Sequence, residues 1–216
     1  MFVMRRNRRR LSLKTIVVTS QKGGSGKTTI TAHLAVEIER FDGSSVILVD
    51  LDRQGTLSRW HDRREKENPG RIDLPFQKLK SGLEKISETT NYCLIDSAPT
   101  ISDQTSSLVS LADFVVIPVR PSPADLWSVG ETIAVVKKAG KPFVFVLNQT
   151  KSSASITAQA VASLSQHGRV CESFLGDRVL YASAMTGGLT AQEVSTKGPS
   201  SLEIKNLWQE IKSLIP

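Results

Sequence analysis

The chain has 216 residues, of which 39% are hydrophobic and 23% are charged, and its formal net charge is +7 at pH 7. This composition is typical of a soluble globular protein, and the length fits one α/β domain. No apolar run approaches the roughly 18 residues of a membrane span, so the sequence excludes a transmembrane helix. The excess of positive charge is compatible with an anionic macromolecular partner.

A basic run opens the chain, with arginines at Arg5, Arg6, Arg8, Arg9 and Arg10. The apolar segment behind these arginines is too short for a signal peptide, so we expect no export. We expect residues 1–13 to form a basic, disordered arm and residues 14–216 to form a single domain. The arm has two open interpretations, a nucleic-acid contact or an extension without a role, because a basic run alone is a weak signal.

Short apolar runs then alternate with segments of helical periodicity. The predicted strands are 15–19, 46–49, 92–95, 114–119 and 143–147, with 70–77 and 170–174 as further candidates. The predicted helices are roughly 27–40, 55–66, 78–88, 103–112, 124–139 and 154–167. This alternation predicts βαβ units, and therefore an α/β fold with a twisted, mostly parallel sheet and helices on both faces.

The last segment predicts an amphipathic helix, because apolar residues recur at three- and four-residue spacing from Ile204 to Ile215. The sequence from Ser200 to Glu203 resembles a capping box at the start of this helix. The polar face carries balanced charge, so we expect the helix to pack on the sheet and not to bind a membrane. Cys93 and Cys171 show no metal or redox spacing, which favours reduced core thiols in a cytoplasmic protein.

The segment Lys22–Thr29, here called the phosphate loop, reads Lys-Gly-Gly-Ser-Gly-Lys-Thr-Thr and lies between the first predicted strand and helix. It misses the strict P-loop pattern Gly-x-x-x-x-Gly-Lys-Ser/Thr by one residue, because Gln21 stands at the first glycine position. Glycines let the backbone approach an anion closely, and the helix N-terminus adds partial positive charge. Lys27 is expected to reach the β- and γ-phosphates of a nucleotide, and Thr28 to bind Mg²⁺.

Three aspartates occupy the ends of predicted strands. Asp50 and Asp52 share one face of the second strand if that strand extends so far, and Asp96 follows the third clear strand. Ligands of α/β folds bind at the carboxyl ends of strands, and an apolar strand that ends in aspartate is typical of a Walker B site for Mg²⁺. A capping or turn role is the alternative for each aspartate taken singly. Three of them beside such a loop favour a metal–nucleotide site.

Together these motifs resemble the ParA/MinD branch of the deviant-Walker P-loop ATPases, and most of all the short ParA-type partition proteins. The segments that carry the resemblance are Lys22–Thr29, Val49–Gly55, Leu94–Pro99 and Val115–Pro123. Similarity extends from about Lys14 to the end of the chain, and it implies the P-loop NTPase fold. The sequence departs from the family at Arg53, where a proline is usual, and at Ser97-Ala98, where Thr-Pro is commoner.

The resemblance implies roles for individual residues. Lys22 would reach the phosphates of a partner subunit in a nucleotide-sandwich dimer, and Asp52 would position the attacking water, so that Lys22, Lys27 and Asp52 form the catalytic set. Asp50 and Asp96 would support the Mg²⁺ bound by Thr28. The implied nucleotide-binding residues are Lys22, Gly23, Gly24, Ser25, Gly26, Lys27, Thr28, Thr29, Asn148, which would read the adenine, and Pro121, which would border it.

The implied function is an ATPase that uses ATP and Mg²⁺, forms an ATP-sandwich homodimer and binds DNA nonspecifically. A ParB-like or cargo adaptor protein would stimulate its slow hydrolysis, and the protein would be nucleoid-associated and partition plasmid, chromosome or protein cargo. Arg178, Lys197 and Lys205 are candidate DNA contacts, each also explained as a solvated charge. The alternatives are a MinD-like membrane-associated switch, against which the balanced terminal helix argues, and a metabolic P-loop enzyme that needs no protein partner.

Overall fold

The computed structural model of the chain describes residues 12–99, 103–151 and 154–216. The expected disordered arm lies outside the described residues except for Ser12 and Leu13. Within those residues, no helix combines the length and the apolar character needed to cross a membrane.

One six-stranded parallel sheet, with strand order β3-β2-β4-β1-β5-β6, forms the centre of the molecule. The strands are β1 (Lys14–Val18), β2 (Val46–Asp50), β3 (Gly70–Arg71), β4 (Tyr92–Asp96), β5 (Phe114–Val119) and β6 (Phe143–Leu147). Because all of them run in one direction, their carboxyl ends meet at one edge, where α/β proteins bind ligands. The predicted parallel sheet is confirmed.

Helices lie between successive strands, and further helices follow β6; together they cover both faces of the sheet. They are α1 (Lys27–Phe41), α2 (Thr56–His61), α3 (Leu79–Ile86), α4 (Asp103–Leu111), α5 (Pro123–Lys138), α6 (Ala154–Ser165), α7 (Val179–Thr186), α8 (Ala191–Val194) and α9 (Pro199–Leu214), with a 3-10 turn at Phe76–Lys78. The candidate strand at 70–77 shrinks to two residues, and the one at 170–174 to an isolated bridge between Phe145 and Val170. The predicted helix at 55–66 ends at His61.

The core has two halves, one on each face of the sheet. Ile16 and Val18 of β1 belong to the half formed with α1, α2, α7, α8 and α9, whereas Val17 belongs to the half formed with α3 to α6. This alternation follows from the two-residue period of a strand that is buried on both faces. Cys93 and Cys171 are free and buried, one in each half, as the sequence predicts.

The expected capping box at Ser200–Glu203 is wrong. Helix α9 begins at Pro199 with Gly198 as the N-cap residue, and the Glu203 carboxylate accepts hydrogen bonds from Arg178 and Tyr181. A capping box instead opens α8, where the Thr190 side chain and Glu193 satisfy each other's backbone N–H groups. The apolar face of α9 is buried, so its packing on the sheet is confirmed.

His33 joins α1 to α8 inside the core. The backbone N–H of Ala191 donates to its Nε2 at 3.0 Å, so Nε2 is an acceptor and the ring is neutral. The proton on Nδ1 therefore faces the Thr29 carbonyl oxygen at 2.8 Å. Burial lowers the pKa of His33 from 6.5 to about 4, because the charged ring would lose its hydration.

The lowered pKa of His33 predicts that this residue makes the folded state less stable as the pH falls. The unfolded chain binds a proton at His33 below pH 6.5, whereas the folded chain resists it down to about pH 4. The stability of the wild type relative to His33→Asn should therefore fall by up to about 3 kcal/mol across that window. Urea unfolding of both proteins from pH 7.5 to 4 measures this difference.

The comparison with His33→Asn removes the contributions of other buried groups. Burial raises the pKa of Asp96 and of Glu37 to about 7, which favours the folded state in acid, but both carboxyls are present in both proteins. A stability difference that stays constant with pH would contradict the assignment of a neutral buried His33.

Candidate nucleotide-binding site

The phosphate loop joins β1 to α1 at the carboxyl edge of the sheet. Gly24 and Gly26 adopt φ angles of 74° and 96°, the left-handed region that favours glycine. Lys27 is 6% exposed, and its Nζ lies 3.4 Å from the carbonyl oxygen of Lys22, so the ammonium lies inside the curve of the loop. Burial lowers the pKa of Lys27, while the carboxylates of Asp96 and Asp52 oppose the shift.

Asn148, just after β6, packs against the phosphate loop and holds it by a hydrogen bond. It is 3% exposed, and its Nδ2 donates to the carbonyl oxygen of Ser25 at 2.9 Å. A Cβ on Gly26 would lie 1.9 Å from that nitrogen, so only glycine fits there. Gln149 follows in a left-handed conformation, and its Nε2 lies 3.4 Å from the Gly24 carbonyl oxygen. The adenine-reading role of Asn148 stays a prediction.

Asp96 and Thr28 form the oxygen-rich centre of the site. The Thr28 hydroxyl donates to Oδ2 of Asp96 at 2.5 Å. Asp96 is fully buried, and its Oδ1 has no hydrogen-bond partner within the described residues. Burial raises the pKa of Asp96 to about 7, against the opposing effect of the Thr28 hydrogen bond and with a further contribution from Asp50. A bound cation would satisfy the unpartnered oxygen.

These oxygens fit Mg²⁺. In the described parts of the chain, no cluster of three or more His, Cys, Asp or Glu side chains is placed to hold a metal. Mg²⁺ does not need such a cluster, because it binds proteins through one or two oxygens and completes its shell with water and phosphate. Thr28 and Asp96 are therefore the residues that would hold it.

Asp50 and Asp52 organise the turn after β2. Both carboxylate oxygens of Asp50 accept backbone N–H groups, from Asp52 at 3.0 Å and from Ser58 in α2 at 2.8 Å. Asp52 is half-buried, and its Oδ1 accepts the N–H of Gln54 at 2.9 Å. Asp50 thus ties the strand end to α2, and its support of a metal stays a prediction, as does the role of Asp52 toward water.

A cleft of about 310 Å³, which no sequence motif predicts, adjoins these aspartates. Its lining residues are Asp50, Leu51, Asp52, Arg53, Leu74, Pro75, Phe76, Ser97, Ala98, Gln104, Thr105 and Leu108. Leu74, Pro75, Phe76 and Leu108 belong to no motif, so no sequence signal placed this part of the wall beside the site.

The loop after β5 lies beside the phosphate loop. Pro121 is buried there, and the preceding Arg120 extends along Gly24, with its Nη1 3.6 Å from where a Cβ on Gly24 would be. Arg120 belongs to the motif at Val115–Pro123, which by itself predicts no role for this residue.

The candidate DNA contacts lie around the start of α9. Arg178 forms an ion pair with Glu203 of that helix, with 2.6 Å between Nη2 and Oε1. Lys197, just before α9, and Lys205, within it, are exposed. The structure therefore leaves the two lysines open to solvent and gives Arg178 an internal partner.

The packing of Gly26 against Asn148 predicts that Gly26→Ala greatly weakens nucleotide binding. The new Cβ would overlap the Asn148 amide, and the φ of 96° disfavours any side chain. Gly43→Ala is the matched control, because Gly43 also has a positive φ, of 67°, lies in the turn between α1 and β2 outside the phosphate loop, and a Cβ there meets nothing within 4 Å. Titration of each variant with a fluorescent ADP analogue measures the effect, and equal affinities for the two variants would contradict the tight fit at Gly26.

The chain is similar to known nucleotide-binding proteins. A family model described as the CobQ/CobB/MinD/ParA nucleotide binding domain matches residues 16–190. Maintenance of carboxysome distribution protein A of Halothiobacillus neapolitanus is 29% identical over 212 residues, which cover 91% of this chain and 95% of that protein. Protein ParA of Rhizobium radiobacter is 25% identical over 206 residues, which cover 90% and 92% of the two chains.

Solved structures agree on the fold. The septum site-determining protein MinD of Pyrococcus horikoshii, complexed with Mg-ADP, superimposes with a TM-score of 0.76 over 94% of this chain and 97% of that chain, at 18% identity. The ATP complex of a Cyanothece McdA variant gives a TM-score of 0.75 over 94% and 96%, at 19% identity. These likenesses show that the predicted P-loop NTPase fold is present.

Proposed function

The chain belongs to the CobQ/CobB/MinD/ParA nucleotide-binding family, and we propose that it is a ParA-type ATPase that partitions or positions a cargo. The observation that carries the proposal is the phosphate loop that begins with Lys22 and brings buried Lys27 beside the Thr28–Asp96 pair. Relatives named for carboxysome distribution and for ParA match nine tenths of the chain, which supports a positioning role. In this proposal the cargo is defined by a ParB-like or cargo adaptor protein that stimulates hydrolysis.

The side chains of the site suit phosphoryl transfer, which needs positioning and charge neutralisation more than covalent catalysis. The backbone N–H groups of the loop and the Lys27 ammonium bind the phosphates of ATP. Thr28 and Asp96 would hold Mg²⁺, which would supply further positive charge to the phosphates. Asp52, half-buried at the turn after β2, orients the attacking water.

We further propose that two subunits sandwich the nucleotides, with Lys22 acting across the interface. Lys22 is partly exposed, and its ammonium forms no ion pair with the residues that the structure describes. The preceding residue, Gln21, donates to the Glu131 carboxylate of α5 at 2.6 Å. Trp127 lies one turn earlier on the same side of α5 and is 84% exposed. A partner that covers Lys22 would therefore also cover this large apolar side chain.

The fluorescence of Trp127 reports directly on dimer formation. Of the three tryptophans, Trp60 and Trp208 are 2% and 3% exposed, so acrylamide quenches mainly Trp127. ATP with Mg²⁺ should protect Trp127 from quenching, and light scattering should show a doubled mass. The hydrolysis-impaired variant Asp52→Asn should hold the protected state longer. A protein that binds ATP and stays monomeric would contradict the dimer.

A mixing experiment tests whether Lys22 acts in trans. Lys22→Ala and Asp52→Asn should each hydrolyse ATP poorly, but their mixture should recover activity. In the mixed dimer, the Lys22→Ala subunit keeps its own Asp52 and receives Lys22 from its partner. Lys138→Ala is the charge-matched control, since Lys138 is exposed at the end of α5 away from the loop, and it should remain active without mixing. No recovery on mixing would show that Lys22 acts within its own subunit.

The same proposal includes nonspecific DNA binding by the ATP-bound dimer, which would place the protein on the nucleoid. Binding to random duplex should require ATP and weaken steeply with salt. Lys197→Gln and Lys205→Gln should each reduce the slope of log affinity against log salt by about 1 per subunit, whereas Lys138→Gln should not. Fluorescence anisotropy at several salt concentrations measures these slopes. Binding to anionic vesicles in place of DNA would instead support the membrane-associated switch.

A further inference from the structure

A buried carboxylate fixes the orientation of Arg120 beside the phosphate loop. Asp125, in the first turn of α5, is 3% exposed, and its two oxygens accept from Nε and Nη2 of Arg120 at 3.0 and 3.1 Å. The Ser122 hydroxyl donates to the same carboxylate at 2.5 Å. Both oxygens that accept from the guanidinium thus belong to a carboxylate fixed at the start of α5. They hold the guanidinium plane in one orientation.

This pairing leaves the other side of the guanidinium available. Nη1 points to the phosphate loop, 3.6 Å from the Cβ position of Gly24, and it donates no hydrogen bond within the described ranges. The Arg120 side chain is 31% exposed. An oriented cation with unused donors therefore lies beside the glycine-rich backbone that would bind an anion.

We propose that Arg120 is a phosphate-contacting residue, whose Nη1 donates to a phosphate oxygen of the nucleotide bound at the loop, and that Asp125 is its positioning residue. The inference rests on the nucleotide binding proposed above. It adds a cation from the loop after β5 to the lysines of the phosphate loop itself. The phosphate belongs either to the nucleotide of the same subunit or to that of the partner subunit, and experiment separates the two.

The geometry explains why arginine, and not lysine, is needed at this position. A guanidinium can bind Asp125 through two nitrogens and still present the third to a phosphate. A lysine ammonium is a single point charge, so pairing with the buried Asp125 would draw it away from the loop. Arg120→Lys should therefore behave more like Arg120→Gln than like the wild type.

The test measures ADP affinity with a fluorescent ADP analogue at protein concentrations where no dimer forms. Arg120→Gln should weaken ADP binding by about tenfold, the usual effect of losing one charge-assisted hydrogen bond. It should also reduce the dependence of that affinity on ionic strength, which a purely structural role would not change. Arg71→Gln is the control, because Arg71 is equally ion-paired, with Asp62 and Asp73, but lies on strand β3 at the sheet edge.

Asp125→Asn tests the positioning role. It should weaken ADP binding, and the double variant Arg120→Gln/Asp125→Asn should bind ADP no more weakly than Arg120→Gln. Thermal unfolding of each variant checks the fold. If Asp125→Asn does not fold, Arg120→Lys replaces it, because that variant keeps the charge and loses only the fork.

The outcomes separate this inference from the proposed function. An unchanged ADP affinity together with a weaker ATP-dependent dimer would assign the contact to the partner's phosphates and support the proposal. Unchanged ADP affinity, salt dependence and dimerisation in a folded Arg120→Gln protein would overturn it, with nucleotide binding itself intact. Failure of the wild type to bind ADP or ATP would overturn the proposed function as well.

Discussion

The hydrogen bond between Thr28 and Asp96 is the interaction on which the site depends. Asp96 lies at the end of a strand whose last four residues are buried, where a carboxylate is costly unless it has partners. Thr28 satisfies one oxygen, and the other has no partner in the described chain. The burial that raises the pKa of this carboxyl also keeps bulk water away from the place where a cation would bind. The phosphate loop, the turn after β2 and the end of β4 all meet at this pair.

The sequence is sufficient to predict which edge of the sheet carries the site. It is not sufficient to predict the side-chain contacts along that edge. Apolar β-branched runs predicted five strands, and a parallel sheet then requires the loop and the three aspartates to share one edge. The sequence could not show that both oxygens of Asp50 would be occupied by backbone N–H groups. That contact depends on where α2 begins, and helix boundaries follow tertiary packing more than local pattern.

The other features that the sequence did not predict also depend on tertiary packing. Arg120 acquires its orientation from Asp125, whose burial is a property of the folded α5 start and not of the sequence motif. Helix α8 has four residues, too few for a periodic signal, and it is stabilised by its own capping box and by an ion pair between Arg64 and Glu193, both almost fully buried. The misplaced capping box at α9 shows that a matching pattern needs the correct helix start.

His33 links the nucleotide site to a part of the chain that is distant in sequence. Its ring receives a hydrogen bond from Ala191, 158 residues further along, and gives one to Thr29 beside Thr28. Gln192 also donates to the His33 carbonyl oxygen at 2.8 Å. The family model ends at residue 190, one position before these contacts. A fragment cut at that boundary would leave a buried imidazole nitrogen without a donor and expose the apolar surface that α9 covers. The packed structure that supports the site therefore extends beyond the segment by which its family is recognised.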